Sequence, residues 1–216
     1  MMECELKSAV SCPKLRKTMA YHEGGHALVS IHTDGALPLH KVTIVPDFKW
    51  LRKFTQLQLT CPRFPSISWM KILANPDGYV RKRGLAQLDM LMGGRVAEEL
   101  IFGESIPGGD LTDIELATGI ARAMLTIDGP QNYDDMSTET RLLIDEEVRE
   151  LLKRANENAK TILSTHKNEL HALANALLEH ETLSGSQVKA ILAQTNSEQP
   201  LLTRLFWLAR LRLNEL

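Results

Sequence analysis

Two histidines four positions apart, near the start of the chain, place the strongest constraint on how this sequence can fold. If His22-Glu23-Gly24-Gly25-His26 is helical, both imidazoles project from one face, one turn apart, where a single metal ion can contact both. This is the spacing of zinc ligands, and Glu23 lies close enough to the same face to hold a metal-bound water and accept its proton. The segment therefore predicts a helix that carries two metal ligands and a general base.

The residues around this pattern decide between a metal site and a chance match. The pattern fixes only three positions, so an ordinary amphipathic helix can match it by accident. The residues around the pattern are mostly apolar and indicate a largely buried helix: Met19, Ala20, Ala27, Leu28, Val29 and Ile31. Histidines without a metal would need other polar partners in such a helix. Gly24 and Gly25 each cost a helix interior about 1 kcal/mol relative to alanine. That cost indicates close approach by a ligand or another backbone, although a simple packing role is also open.

Length and composition limit the class of protein. A chain of 216 residues predicts one domain, with room for a tail, and a net charge of −2 does not favour nucleic-acid binding. The three cysteines, Cys4, Cys12 and Cys61, have no paired ligand spacing, which fits a reducing compartment. We identify no secretory or targeting signal and no transmembrane segment of about 20 apolar residues. We also identify no phosphate-binding glycine loop, so ATP binding by this chain is not expected.

Hydrophobic periodicity predicts a fold that is mainly α with a small β-sheet, an α+β class. Helices are expected at residues 15–32, 85–101, from 112 towards 129, 137–163 and 169–181, with a short helix after 184. Residues 40–45 read as a strand and 54–59 as a second one, within a poorly specified stretch from 47 to 80. Thr112 with Glu115, and Ser184 with Gln187, match helix-capping boxes. Residues 201–213 form a basic, apolar segment that fits an amphipathic helix.

Several other ionisable residues are candidates for a third metal ligand. Glu98 and Glu99 lie on a predicted helix, where acidic residues are commonly only its solvated face. Asp113 falls in the first turn of the next helix, where the helix dipole favours an acid in any case. His32 and His40 are interpreted as structural or solvent-facing residues. The other three histidines, which share no partner, are interpreted as packing or surface residues: His166, His171 and His180. From the residues alone, the third ligand stays open.

Taken together, the segments resemble the peptidase domain of the FtsH-type ATP-dependent zinc metalloproteases, in particular the organelle members. The resemblance covers most of residues 15–195 and rests on several stretches in the same order: Ala20–Val29, His40–Pro46, Met92–Glu104, Thr112–Thr118, Ala121–Met124 and Thr138–Val148. Several ordered matches are far more specific than the histidine pattern alone. The resemblance implies a helical zinc metallopeptidase domain over residues 1–196, followed by a C-terminal tail over 197–216.

The resemblance also implies the roles of individual residues. His22, His26 and Asp113 would be the Zn²⁺ ligands and Glu23 the catalytic acid/base, which leaves Glu98 and Glu99 as structural residues or as partners of the ligands. The implied activity is that of a zinc metalloendopeptidase hydrolysing unfolded or membrane-associated proteins. The implied assembly is a hexamer, of this chain or with full-length relatives. A mitochondrial or chloroplast location at a membrane is implied by family resemblance alone.

The sequence departs from the family pattern in lacking one module and in four segments. The family couples peptide hydrolysis to an ATPase module that this sequence does not contain. Residues 47–53 replace a small glycine-containing strand, 69–80 look inserted, 126–135 look shortened, and the last sixteen residues match no family segment. The alternative to an active peptidase is therefore a truncated, inactive relative that acts as an interaction module.

Overall fold

A computed structural model describes residues 13–45, 79–104, 110–126 and 136–197. Six helices and two strands lie in this part of the chain: α1 (Pro13–His32), β1 (Lys41–Thr43), α2 (Tyr79–Phe102), α3 (Asp110–Leu125), α4 (Thr138–Thr165), α5 (Lys167–His180), β2 (Thr182–Ser184) and α6 (Gly185–Ser197). The predicted fold class, mainly α with a small sheet, is confirmed. The predicted strand at 54–59 and the tail after 197 lie outside the described residues.

Helix α1 is the central element of the fold. It packs most extensively against α2 and α5, and α2 in turn packs against α4 and α3. Every residue from Gly24 to Ser30 is buried, so α1 is enclosed on all sides rather than along one stripe. Pro13 is its first residue, a position where the missing N–H costs nothing. The predicted helix is therefore confirmed, with its start two residues earlier than expected.

The small sheet holds two antiparallel strands within the described residues. Val42 in β1 lies opposite Leu183 in β2, and both side chains are buried. The β1 strand falls within the expected 40–45 segment and is shorter. No strand was predicted at 182–184, because three residues between two helical patterns have no periodicity of their own. The partner strand of β1 is thus one that local sequence did not reveal.

Three helix ends follow the sequence signals, and one predicted cap is an exception. Gly103 ends α2 with φ at +81°, and Ser137 caps α4 by accepting a hydrogen bond from the Thr140 amide. The Ser184 amide donates to Gln187 Oε1 at 2.8 Å, and the Gln187 amide donates to Ser184 Oγ at 3.3 Å, so this capping box is confirmed. The exception is Thr112. It lies inside α3, which begins at Asp110, so its prediction as N-cap is wrong.

None of the helices in the described segments is both long enough and apolar enough to cross a lipid bilayer.

Candidate metal centre

Three side chains from two helices converge on one point in the interior. His22 and His26 project from the buried face of α1, and Asp113 projects from the first turn of α3. The two Nε2 atoms lie 3.0 Å apart. Asp113 Oδ2 is 3.2 Å from His22 Nε2 and 3.1 Å from His26 Nε2. The donor atoms therefore form a nearly equilateral triangle.

This triangle matches the dimensions of a zinc site. Zinc bonds of about 2.0–2.1 Å at tetrahedral angles separate neighbouring donor atoms by about 3.3 Å. Two imidazole nitrogens and a carboxylate oxygen are also ligands that zinc accepts. The residues present thus fit a bound zinc ion in both spacing and chemistry.

The outer nitrogens of both imidazoles have partners of their own. His26 Nδ1 lies 2.8 Å from the Met90 carbonyl oxygen in α2, which can only accept, and 3.3 Å from the Gly94 amide nitrogen. The shorter contact favours the tautomer in which Nδ1 carries the proton and donates to Met90. His22 Nδ1 lies 2.8 Å from Glu98 Oε1, also in α2, and donates to that carboxylate. When each ring is neutral, a protonated Nδ1 leaves the Nε2 lone pair free, and the Nε2 atoms face the point where Asp113 lies. Metal-binding histidines are oriented in this way by their outer partners.

The local electrostatics favour positive charge at this point. Burial alone would lower the pKa of His22, but hydrogen bonds to Asp113 and Glu98 raise that pKa to about 10. Burial would raise the pKa of Asp113, yet His26 and His22 hold it well below its ordinary range. The ionised carboxylate is therefore stabilised by positive charge between the two rings, either the proton that His22 gains or a metal ion that would replace it.

Glu23 lies one residue after His22, beside the two histidines. Burial raises the pKa of its carboxyl group, and the neighbouring His26 and His22 only partly oppose that shift. A raised pKa makes this carboxyl group a better proton acceptor and donor near neutral pH. Glu23 therefore has a position and environment suited to general acid/base chemistry.

The two other candidate carboxylates occupy different positions. Glu98 is buried and contacts His22 Nδ1, the nitrogen on the far side of the ring from the donor triangle. Glu99 is exposed on the next position and pairs with Arg95 at 2.8 Å. Sequence alone could not rank these acids against Asp113, since all three lie on helices.

Glycines in both helices permit the close approach of α1 and α2 that forms the site. A Cβ on Gly94 would lie 2.5 Å from His26 Nε2 and 2.6 Å from His22 Cε1. A Cβ on Gly25 would lie 2.4 Å from the Gly93 carbonyl oxygen, which confirms the expected backbone approach for Gly25. Gly24 differs, because its nearest neighbour would be Leu170 Cδ1 at 3.5 Å, an ordinary contact. The role of Gly94 was missed, although its position in a Gly-Gly pair within a helix was a usable signal.

Three of the remaining histidines have side-chain partners in the structure. His32, expected to be structural or solvent-facing, and His166, expected to be a packing or surface residue, both contact the buried Glu169. His171 Nδ1 lies 2.8 Å from the Tyr21 hydroxyl. These contacts join residues more than 130 positions apart, except for the local His166–Glu169 pair, so the sequence held no local signal for them.

Comparison with known proteins gives a consistent family assignment. The chain is 41% identical over 201 residues to the ATP-dependent zinc metalloprotease FTSH 11, chloroplastic/mitochondrial, of Arabidopsis thaliana, covering 89% of this chain and 23% of that protein. It is 36% identical over 209 residues to the ATP-dependent zinc metalloprotease FtsH of Rickettsia typhi, covering 87% of this chain and 30% of the relative. The ATP-dependent zinc metalloprotease YME1 homolog of Schizosaccharomyces pombe is 36% identical over 202 residues, covering 88% and 26%.

The chain thus spans less than a third of the length of these relatives. The family model of Peptidase family M41 matches residues 9–129 and 126–191, which include all the residues of the donor triangle and Glu23. From this match and these relatives, the chain belongs to Peptidase family M41.

Proposed function

We propose that this chain is the peptidase portion of a zinc metalloendopeptidase, with His22, His26 and Asp113 as zinc ligands. The observation that carries the proposal is the triangle of Nε2, Nε2 and Oδ2 atoms with sides of 3.0–3.2 Å. The outer contacts of His22 with Glu98 and of His26 with the Met90 carbonyl support it, because they orient both rings. The names of the relatives, which specify zinc, support the choice of metal.

When bound, zinc would act as a Lewis acid that polarises the scissile carbonyl group and lowers the pKa of water. Glu23 would accept a proton from the attacking water and return it to the nitrogen of the leaving amine. Its raised pKa suits both steps, because the same carboxyl group must gain and then lose the proton. Glu98 would keep the Nδ1 proton on His22, so that Nε2 stays available as a ligand.

The proposal extends to the substrates, the assembly, the location and the domain boundaries of the protein. Unfolded or membrane-associated proteins are the proposed substrates, and the proposed assembly is a hexamer of this chain or with full-length relatives. A mitochondrial or chloroplast location is supported by the name of the Arabidopsis thaliana relative. We propose residues 1–196 as the peptidase domain and 197–216 as a tail.

The test is hydrolysis of casein by the purified chain, with and without a chelator, beside Glu23→Gln. We expect the chelator and Glu23→Gln each to abolish hydrolysis, while Glu23→Gln keeps its zinc by elemental analysis. Glu99→Gln is the matched control, since it removes an exposed carboxylate that pairs with Arg95 and should leave hydrolysis intact. Equal hydrolysis by the Glu23→Gln protein would contradict the mechanism. A zinc-loaded chain that cleaves nothing would favour the inactive interaction module.

A further inference from the structure

A second group of metal-binding side chains lies beyond the first, at the far end of α1. His32 is six positions after His26, which is about 9 Å along a helix axis. Its Nε2 atom lies 2.9 Å from Glu169 Oε2, and His166 Nδ1 lies 2.9 Å from Glu169 Oε1. Each oxygen of one carboxylate thus faces a nitrogen of a different imidazole. None of these atoms belongs to the triangle formed by His22, His26 and Asp113.

Three separate elements hold this cluster in place. His32 is the last residue of α1, His166 lies between α4 and α5, and Glu169 is in the first turn of α5. The His166 amide donates to the Ile162 carbonyl, and the His166 carbonyl accepts from the Leu170 amide, both within 3.0 Å. The backbone at the junction is therefore hydrogen-bonded on both sides. The cluster is assembled by the fold rather than by one flexible loop.

The exposure of the three side chains suits an ion that enters from solvent. The Glu169 side chain is only 5% exposed, while those of His32 and His166 are 26% and 29% exposed. Burial would raise the pKa of Glu169, but hydrogen bonds from His166 and His32 lower it below its ordinary value. The carboxylate is thus an anion at neutral pH at the base of the cluster. The partly exposed imidazoles form its outer edge, where water can complete a coordination sphere.

The ligand types are those of a transition-metal site. Two imidazoles and one carboxylate bind zinc in other proteins with a position left open for water. The three potential donor atoms lie within 4.8 Å of one another. The two rings are stacked, with centroids 3.7 Å apart, and are inclined by 21°.

We propose that His32, His166 and Glu169 form a second binding site for a divalent transition-metal ion such as zinc. An ion held there would link the end of the helix that carries His22 and His26 to the junction of α4 and α5. The proposal does not depend on peptidase activity, since it involves none of the residues assigned to catalysis. Its role would be to stabilise the position of α1 against α5.

The first test counts bound zinc in a protein that lacks the first site. The full chain with His26→Ala is dialysed against a slight excess of zinc, and zinc per chain is measured by elemental analysis. We expect about one zinc per chain, and its loss when Glu169→Gln is added to His26→Ala. His180→Ala, added instead, is the matched control, because His180 is an exposed histidine at the end of the same helix. Retention of the zinc in the His26→Ala, Glu169→Gln protein overturns the proposal.

A second measurement needs no substitution and so does not depend on a variant folding. Zinc is titrated into the wild-type chain while the ring ¹⁵N and ¹H signals of the histidines are followed by NMR. We expect a second equivalent of zinc to shift the ring nitrogens of His32 and His166 together, with His180 unchanged. A chain that is saturated by one equivalent, or that shows no shift at His32 and His166, overturns the proposal.

Discussion

Gly25 in α1 and Gly93 in α2 face each other with no side chain between their backbones. A Cβ on Gly25 would lie 2.4 Å from the Gly93 carbonyl oxygen, and a Cβ on Gly93 would lie 2.8 Å from the Gly25 carbonyl oxygen. Real Cβ atoms essentially never approach other atoms so closely. This crossing brings α2 near enough to α1 for Met90 and Glu98 to contact the two histidines.

Alanine is therefore expected to have opposite effects at the two adjacent glycines of α1. Gly25→Ala should lower the free energy of unfolding by about 1–3 kcal/mol, because α1 and α2 must separate to accept the methyl group. Gly24→Ala should raise it by about 0.5–1 kcal/mol, since alanine favours a helix and the nearest atom would be at 3.5 Å. Urea denaturation followed by circular dichroism measures both. Equal effects of the two substitutions would contradict the close crossing.

Gly94→Ala tests the site itself rather than the fold. Its Cβ would lie 2.5 Å from His26 Nε2 and 2.6 Å from His22 Cε1, so the imidazoles must turn away. We expect loss of the zinc held by these residues, measured by elemental analysis of a protein with wild-type circular dichroism. Gly24→Ala serves as the comparison and should keep that zinc. If Gly94→Ala binds zinc there as tightly as the wild type, the proposed ligand set is wrong.

Glu98 and Glu99 offer a matched pair for testing the orientation of His22. Glu98→Gln keeps an oxygen that can accept from His22 Nδ1 but removes its charge, so zinc affinity should fall by about tenfold or more. Glu99→Gln should leave the affinity unchanged, because Glu99 is exposed and pairs with Arg95. Competition with a chromophoric chelator measures both affinities. Loss of affinity in Glu99→Gln, with Glu98→Gln unaffected, would reverse the two assignments.

Asp89 makes folding stability depend on pH. Burial raises its pKa to about 6 despite the Asn158 amide, which donates to it over 3.4 Å. In the unfolded chain the pKa of an aspartate is about 3.9. The folded chain therefore binds more protons between these values, so the contribution of Asp89 to stability is lost as pH rises from about 4 to about 6. Asp89→Asn should remove this loss.

At pH 7.5 we expect Asp89→Asn to raise the free energy of unfolding by about 2 kcal/mol, and at pH 3.5 to leave it nearly unchanged. Thermal and urea unfolding at several pH values measure the difference. Glu147→Gln is the control, because Glu147 is exposed on α4. A gain for Asp89→Asn that is the same at both pH values would show that the charge of Asp89 is not its cause.

Local sequence determined the helices and placed His22 and His26 on one helix face. His22 and His26 share a face because residues four apart on any α-helix do so, and periodic leucines defined α2, α4 and α5 in the same local way. Gly103 and Ser137 marked helix ends for reasons contained in their own backbone and side-chain chemistry. Such features depend only on neighbours within a few residues, and the sequence alone was enough to predict them.

Packing between helices decided what local sequence left open. Asp113 is 87 positions from His26 and Glu98 is 76 from His22, so only the crossing of α1, α2 and α3 determines which acid meets which nitrogen. Likewise, β1 pairs with a strand at 182–184 that has too few residues for a periodic pattern. These contacts join distant parts of the chain, and their identity depends on close approaches such as that of Gly25 to Gly93. The chemistry of each residue could be predicted from the sequence, whereas the residue that it contacts is determined only by the tertiary structure.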